Sequence, residues 1–496
     1  MLNKFLMFLL LTWSSGLFAR VADEVWYKGS VAEAFDFAKS NKRLLFLYWG
    51  AEWCPPCNDL KAEVFANPNF QVLMKPFVPV YLDGDTDRAQ EWGERLKVDG
   101  YPTVLILASD GSELFRLTSG LDFAEFEDAI QRILRSVKPL KALIDAALTG
   151  KAASQDWWRL AYLSWEQIPK NIELSIEKAQ ALKRLVYSDA LPKGEVNARL
   201  TTSYLAYLLS NNSSSIGEYT RLLLRVFQSE QSIEWSRNFV IYQAQPSLLK
   251  ILAQGGPSLY LPWKKVWLEA LESIEKSPHL SVDARLWSVG AQVLIEDISE
   301  GKGNNVIKNR LIRKIHWADG RATDPYQRHA FLASAAYFLP LVGESKMAKD
   351  LLYSEVVHSK NPWYLYVKLR KILLAEQDMA AAYKLSLKAL DTVKGRASRI
   401  EMHANHFFFV LTNREHYADH LGLKALRGFY TTVLSLSDGF LGRNNLRVKQ
   451  VEEFILAAGA RREKLREVVH EYKSKCKEMN GKNQLKCFEH FKNLAS

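Results

Sequence analysis

Cys54 and Cys57 stand three residues apart in Glu52-Trp53-Cys54-Pro55-Pro56-Cys57. Two thiols at that spacing on the first turn of a helix can close and reopen a disulfide. A helix is expected to open at Cys54, because proline is tolerated in the first turn. Cys54 would then face the positive end of the helix dipole and its unpaired N–H groups, which stabilise a thiolate and lower its pKa. That makes Cys54 the expected exposed nucleophile. Cys57, one turn in and more buried, would resolve the mixed disulfide. Pro55 and Pro56 remove two donors and stiffen the loop. A static disulfide and half of a zinc site are the rival readings. Zinc takes about four ligands, and the sequence holds no second C-x-x-C. Redox chemistry is the reading carried forward, with no metal and no cofactor beyond the pair itself.

The other two cysteines, Cys476 and Cys487, flank Met479-Asn480-Gly481-Lys482, a turn signal between two helical segments. A disulfide there would staple a terminal hairpin; the alternative is a relay that exchanges with Cys54. His403, His406, His416 and His420 crowd one expected hairpin. Thr412-x-x-Glu415 would cap its second helix, placing His416 and His420 one turn apart, a spacing that can hold a metal. No cysteine joins them, and they are read as ordinary histidines. Trp157, Trp158 and Trp165 are read as packing anchors.

The elements that must position the pair alternate between strand and helix. Ser30-x-x-Glu33 is a capping box that opens a helix over 31–39. Residues 43–49 (RLLFLYW) form the continuous apolar run of a strand buried on both faces. Residues 77–82 read as the next strand, followed by a helix to about residue 98. Residues 104–108 and 114–117 read as two strands joined by Ser109-Asp110-Gly111, a hairpin-type turn. Residues 122–137 form an amphipathic helix. The expected order is β-α-β-α-β-α-β-β-α. After Pro139 the apolar spacing is helical nearly to the end, broken at Pro169, Pro192, Gly255-Gly256-Pro257, Pro278, Gly301-Lys302-Gly303, Asn361-Pro362 and Gly395. Stacked helical hairpins, as an α-solenoid or a bundle, are expected there. The hairpin over 363–390 resembles a tetratricopeptide unit, without a repeat at 34 residues.

Residues 24–137 resemble the thioredoxin family, and within it the periplasmic thiol–disulfide interchange type. The matching pieces are Trp49-Gly50-Ala51-Glu52-Trp53-Cys54-Pro55-Pro56-Cys57, Gly100-Tyr101-Pro102-Thr103, and Gly120 before the last helix. The resemblance implies a cis bond at Tyr101–Pro102. It places Pro102 facing the cysteines, so that the backbone of Tyr101 can pair with a substrate strand. Trp53 is read as a lid over Cys54, with simple packing as the alternative. One position departs from the family, which carries a buried Asp six residues before the first cysteine. Tyr48 stands there, and a phenol with pKa near 10 is a poor base near neutral pH. The resemblance covers about a quarter of the chain.

The domain organisation is therefore a signal segment over 1–19, a thioredoxin-like α/β domain over 20–138, and a large all-α region over 139–496, divisible near 211–217 or 300–305. Lys4, the apolar run 5–13 and Leu17-Phe18-Ala19 make the signal; the run is too short to span a bilayer. The chain is expected to be exported, to the bacterial periplasm, with no stable membrane span once the signal is removed. The net charge is +11 over 496 residues. Residues 20–138 hold 14 Lys/Arg against 19 Asp/Glu, so the positive excess belongs to the helical region and is read as a solvated face. No nucleic-acid motif is present. The expected partners are protein thiols or disulfides and an upstream redox protein, with the helical region binding protein. Reduction is the preferred direction. The rival reading is a periplasmic scaffold or chaperone-like binding protein with a vestigial redox domain.

Overall fold

A computed structural model describes residues 25–496 except 99, 118, 136, 169–176, 213, 301–304, 418, 459–461 and 496. The signal segment, Pro169 and Gly301-Lys302-Gly303 lie outside the described residues. Helix α1 (Val31–Ser40) starts on the expected capping box: the Ser30 hydroxyl accepts the Glu33 N–H at 3.2 Å, and the Glu33 carboxylate accepts the Ser30 N–H at 2.7 Å. Strand β1 (Leu44–Gly50) is buried almost throughout, as its uninterrupted apolar run requires. Helix α2 (Pro55–Leu60) runs into a π turn over Lys61–Phe65. Then come α3 (Phe70–Leu73), β2 (Phe77–Asp83), α4 (Ala89–Leu96), β3 (Thr103–Leu107), β4 (Glu113–Leu117) and α5 (Phe123–Arg135). The four strands form one mixed sheet in the order β2-β1-β3-β4. β3 and β4 pair antiparallel around the predicted turn, where Gly111 takes φ +86° and the Asp110 carboxylate accepts the Ser112 N–H at 2.9 Å.

The strand expected ahead of α1 is not formed by residues 25–30. Tyr27 makes one ladder-like bond, its N–H to the Pro79 carbonyl at 2.7 Å. Pro79 has no N–H with which to return the second bond of an antiparallel pair. Trp26 contributes its side chain instead, among Phe46, Tyr48, Phe65, Phe70 and Tyr81.

Beyond Arg135 every element among the described residues is helical. Pro278 and Gly395 lie between helices, and Pro362 is the first residue of one. The hairpin over 363–390 is two helices, Pro362–Ala375 and Met379–Thr392. Gly255-Gly256-Pro257 does not open a loop. The helix Ala244–Lys276 passes through it on a kink at Gly256 (φ 71°, ψ −178°), because Pro257 can start a new helical stretch without its N–H.

The chain packs as two units that both draw on the α/β domain. The first comprises residues up to 48, 54–81 and 102–342; the second comprises 49–53, 82–101 and 343–496. In the first, the half-buried Glu125 of α5 is clasped by Arg199, at 2.5 Å, and by Arg237, both from the helical region. Edge strand β4 gains an isolated bridge between Leu117 and Leu163, and the Ser164 N–H bonds the Arg116 carbonyl at 2.9 Å. In the second, α4 packs on the helix Gly442–Leu456. The buried Gln90 is fixed there by the Asp438 carboxylate, which accepts its N–H at 3.0 Å, and by the Arg443 N–H, which its side chain accepts at 2.8 Å.

Candidate active site

Cys54 is the N-cap of α2, and Pro55 and Pro56 fill the first two helical positions. The two cysteines form a disulfide with Cα atoms 5.2 Å apart. Cys54 Sγ accepts the Cys57 N–H at 3.2 Å. This is the cap bond that a serine hydroxyl would make, with sulfur in its place. The Cys54 carbonyl accepts from the Asn58 amide at 2.9 Å, which fixes the turn. A thiolate at this position would meet the same N–H and the head of the helix dipole.

Cys57 is fully buried, as expected, but Cys54 is only 3% exposed. The expectation of an exposed nucleophile treated α2 as part of a free-standing α/β domain. In the structure the helix Pro325–Leu341 packs against α2. Gln327 donates to Glu63 at 3.4 Å, and the ring of Tyr326 lies 5.5 Å from Lys61 Nζ.

Around α2 lies a set of carboxyls that no local pattern groups. Burial, followed by the charge of Asp283, pushes Asp59 up to about 7. Burial, followed by the charge of Asp59, does the same to Glu63. Asp283 is also raised to about 7 by burial. Tyr48, at the position of the family's buried acid, is fully buried and stacks on Tyr81 with centroids 5.0 Å apart. Glu52 is exposed.

Trp53 does not stand free over the pair. Its indole N–H donates to Asp85 Oδ2 at 2.9 Å. Its ring lies edge-on to Trp363 (5.4 Å) and stacks on Tyr364 (6.1 Å), in a cluster with Ala389, Val393 and Met402. Tyr101 lies 5.9 Å from Trp53 and 5.4 Å from Trp49. Its hydroxyl accepts from the Gln90 amide at 3.1 Å, and the Arg443 guanidinium covers its ring at 4.4 Å. Burial raises its phenol well above the ordinary value. Pro102 starts the turn into β3, and its carbonyl accepts from the Gln167 amide at 3.0 Å. Asp85, Gln90 and Arg443 escaped the sequence reading because nothing local links residue 85 to residue 398, or 90 to 443.

Cys476 and Cys487 form the second disulfide, with Cα atoms 5.7 Å apart. Both are fully buried in a core with Tyr430, Val469 and Phe491. His416 and His420 do not share a helix: His416 ends a 3-10 turn over Arg414–His416, and the next helix begins at Asp419. The Tyr417 hydroxyl, bonded to the Met379 carbonyl at 2.7 Å, ties that turn to the preceding hairpin. His406 is buried and its Nδ1 lies 2.8 Å from the Ser386 hydroxyl, itself bonded to Arg370. Burial and the Arg370 charge lower His406 to about 4, so it is neutral at pH 7. Trp157 and Trp165 are buried, and Trp158 stacks on Tyr162, as packing anchors do.

Residues 31–134 match the family described as thioredoxin-like domain. Two solved structures align with that part of the chain. One, titled DsbH oxidoreductase, is 19% identical with a TM-score of 0.21. The other, a thioredoxin from Thermus thermophilus, is 28% identical with a TM-score of 0.20. Each alignment covers 22% of this chain and 85% of the solved one. No curated protein matches the chain. No helix among the described residues is long and apolar enough to cross a membrane. A C-x-x-C disulfide at the head of a helix in a fold of this kind supports thiol–disulfide oxidoreductase chemistry in general, and residues 31–134 are a thioredoxin-like domain.

Proposed function

We propose that the chain is an exported thiol–disulfide oxidoreductase that works in the bacterial periplasm on protein disulfides, in the reducing direction. The observation that carries this reading is the Cys54–Cys57 pair at the head of α2, with Cys54 Sγ held by the Cys57 N–H. In the reduced pair the Cys54 thiolate attacks one sulfur of a substrate disulfide. A mixed disulfide forms and the other substrate sulfur leaves as a thiolate. The Cys57 thiolate then attacks Cys54, the Cys54–substrate bond breaks, and the second substrate thiol is released. Two electrons have passed to the substrate, and the pair is left oxidised for an upstream dithiol protein to reduce. The backbone of Tyr101 aligns the substrate strand, Pro102 and Trp53 flank it, and the helical region selects the partner. No cofactor beyond the pair is required.

The burial of Cys54 favours a second reading, a periplasmic scaffold or chaperone-like binding protein whose redox site is vestigial. A trap separates the two. Cys57→Ala is expressed in its own compartment, and mixed disulfides are sought by non-reducing gel and mass spectrometry. The oxidoreductase reading expects discrete adducts on Cys54 that vanish when Cys54 is also replaced. A clean monomer band with Cys54 free and unreactive would leave only the scaffold.

A further inference from the structure

We infer that the chain carries a second binding site, an aromatic strip with an acidic end, that takes a lysine or arginine side chain of another polypeptide. The site uses no thiol chemistry, so it stands or falls apart from the proposed redox role. Every residue in it belongs to the first of the two units. Three helical segments build it, each offering residues about one turn apart and so on one face. α2 and the π turn after it supply Asp59 and Glu63. The helix Val282–Glu300 supplies Asp283 and Trp287. The helix Pro325–Leu341, packed on α2, supplies Ser334, Tyr337 and Leu341. Ser281, which accepts the Ala284 N–H at 3.1 Å, lies against Asp59. The Ser334 hydroxyl accepts the Trp287 indole N–H at 2.8 Å, and Ser334 lies against Asp283. Trp287 stacks on Tyr337 with centroids 5.7 Å apart and meets Tyr242 edge-on at 5.4 Å.

The acidic end lacks a cation. Asp283 acts on Asp59, and Asp59 on Glu63, as like charges, and none of the three forms an ion pair with a described residue. Asp283 Oδ1 is closed to solvent and has no hydrogen-bond partner among the described residues. A buried acceptor without a donor is costly, and a ligand N–H would satisfy it. The aromatic end is open: Tyr242, Tyr337 and Leu341 are 42%, 44% and 40% exposed. Yet burial and the charges of Asp283 and Asp59 raise the Tyr242 phenol. Its ring therefore stands at the open side while its hydroxyl end lies among the carboxyls. Ring faces attract cations, and a lysine or arginine stem is apolar enough to lie along them with its head among the acids. A metal ion fits less well, since no three ligating side chains among the described residues are placed to share one. The strip runs on to Leu341, one turn beyond Tyr337, farther than a small free amine covers, so the cation is one presented by a polypeptide.

Fluorescence anisotropy on the full chain at pH 8 tests the site. The probe is a short fluorescein-labelled peptide of alternating lysine and glycine, and its control is the same peptide with every lysine acetylated, which keeps the stem and removes the charge. The chain's net charge of +11 repels a polycation overall, so binding reports a local site. The lysine peptide is expected to bind and the acetylated one not. Asp283→Asn is expected to weaken binding about tenfold, the scale of a hydrogen bond to a charged group, and Tyr337→Ala about threefold, the scale of one cation–π contact. Glu467→Gln, which removes an exposed carboxylate outside the site, should change nothing. Melting temperatures are taken alongside, and either site variant carries the test if the other fails to fold. No binding, equal binding of both peptides, native affinity in both site variants, or an equal loss in Glu467→Gln would overturn the site. Displacement of the peptide by an equal concentration of n-butylammonium would overturn the polypeptide as its occupant. None of these outcomes touches the oxidoreductase reading, which only the Cys57→Ala trap can remove.

Discussion

A buried carboxyl resists ionisation: burial alone holds Asp283 near 7, and burial followed by the charge of Asp283 holds Asp59 there. Between about pH 4 and pH 7 the folded chain keeps protons there that the unfolded chain gives up. The stability these groups contribute is therefore complete below about pH 4 and is lost as pH rises through 7. Asp283→Asn keeps the shape and cannot ionise. It is expected to raise the melting temperature at pH 8 by roughly 2–4 °C, for about 1 kcal/mol, and to flatten the decline between pH 5 and pH 8. An unchanged profile in thermal melts at the two pH values would refute the assignment. The contrast with Cys54 and Cys57 shows what a sequence makes legible at this scale. Their chemistry is written in a spacing of three on one helix, whereas Asp59 and Asp283 lie far apart in the chain and meet only through tertiary packing.

Elements were legible where one face or one cap decides them. The Ser30/Glu33 box, the apolar run of β1 and the 109–111 turn all appear as the local pattern predicts. The leading strand failed because a proline stands opposite it, and His416 left its helix because a tyrosine hydroxyl is tied to another hairpin. Neither partner is visible from the segment itself. The attachment of α5 to the helical region was equally hidden. Glu125, Arg199 and Arg237 form a largely buried cluster of charges. Burial pushes the Glu125 carboxyl up, and the bonds and charges of Arg237 and Arg199 outweigh that and hold it low. Glu125→Gln would leave two guanidiniums without their main counter-charge and is expected to cost about 3 kcal/mol. Urea denaturation measures it, and a cost below about 1 kcal/mol would show that the pair is solvated and of little consequence.

Across the whole molecule, the helical periodicity after Pro139 announced a second kind of fold, but it could not announce that residues 82–101 pack with residues 343–496. That partition depends on contacts hundreds of residues apart. The terminal hairpin is closed by Cys476–Cys487, whose burial fits a staple better than a relay. Replacing both with serine is expected to lower stability by about 2–4 kcal/mol while leaving the alkylation rate of reduced Cys54 unchanged. A slowed Cys54 would favour the relay. The bridge from Leu117 to Leu163 and the bond from Ser164 to Arg116 bear on synthesis. Strand β4 ends at residue 117, yet the backbone that covers its edge, and Arg159, whose guanidinium bonds the Leu114 carbonyl, emerge more than 40 residues later. During translation the nascent sheet must wait with one margin open. A polypeptide cut at residue 138 would keep that margin open for good, inviting self-association of the kind uncovered strand edges promote.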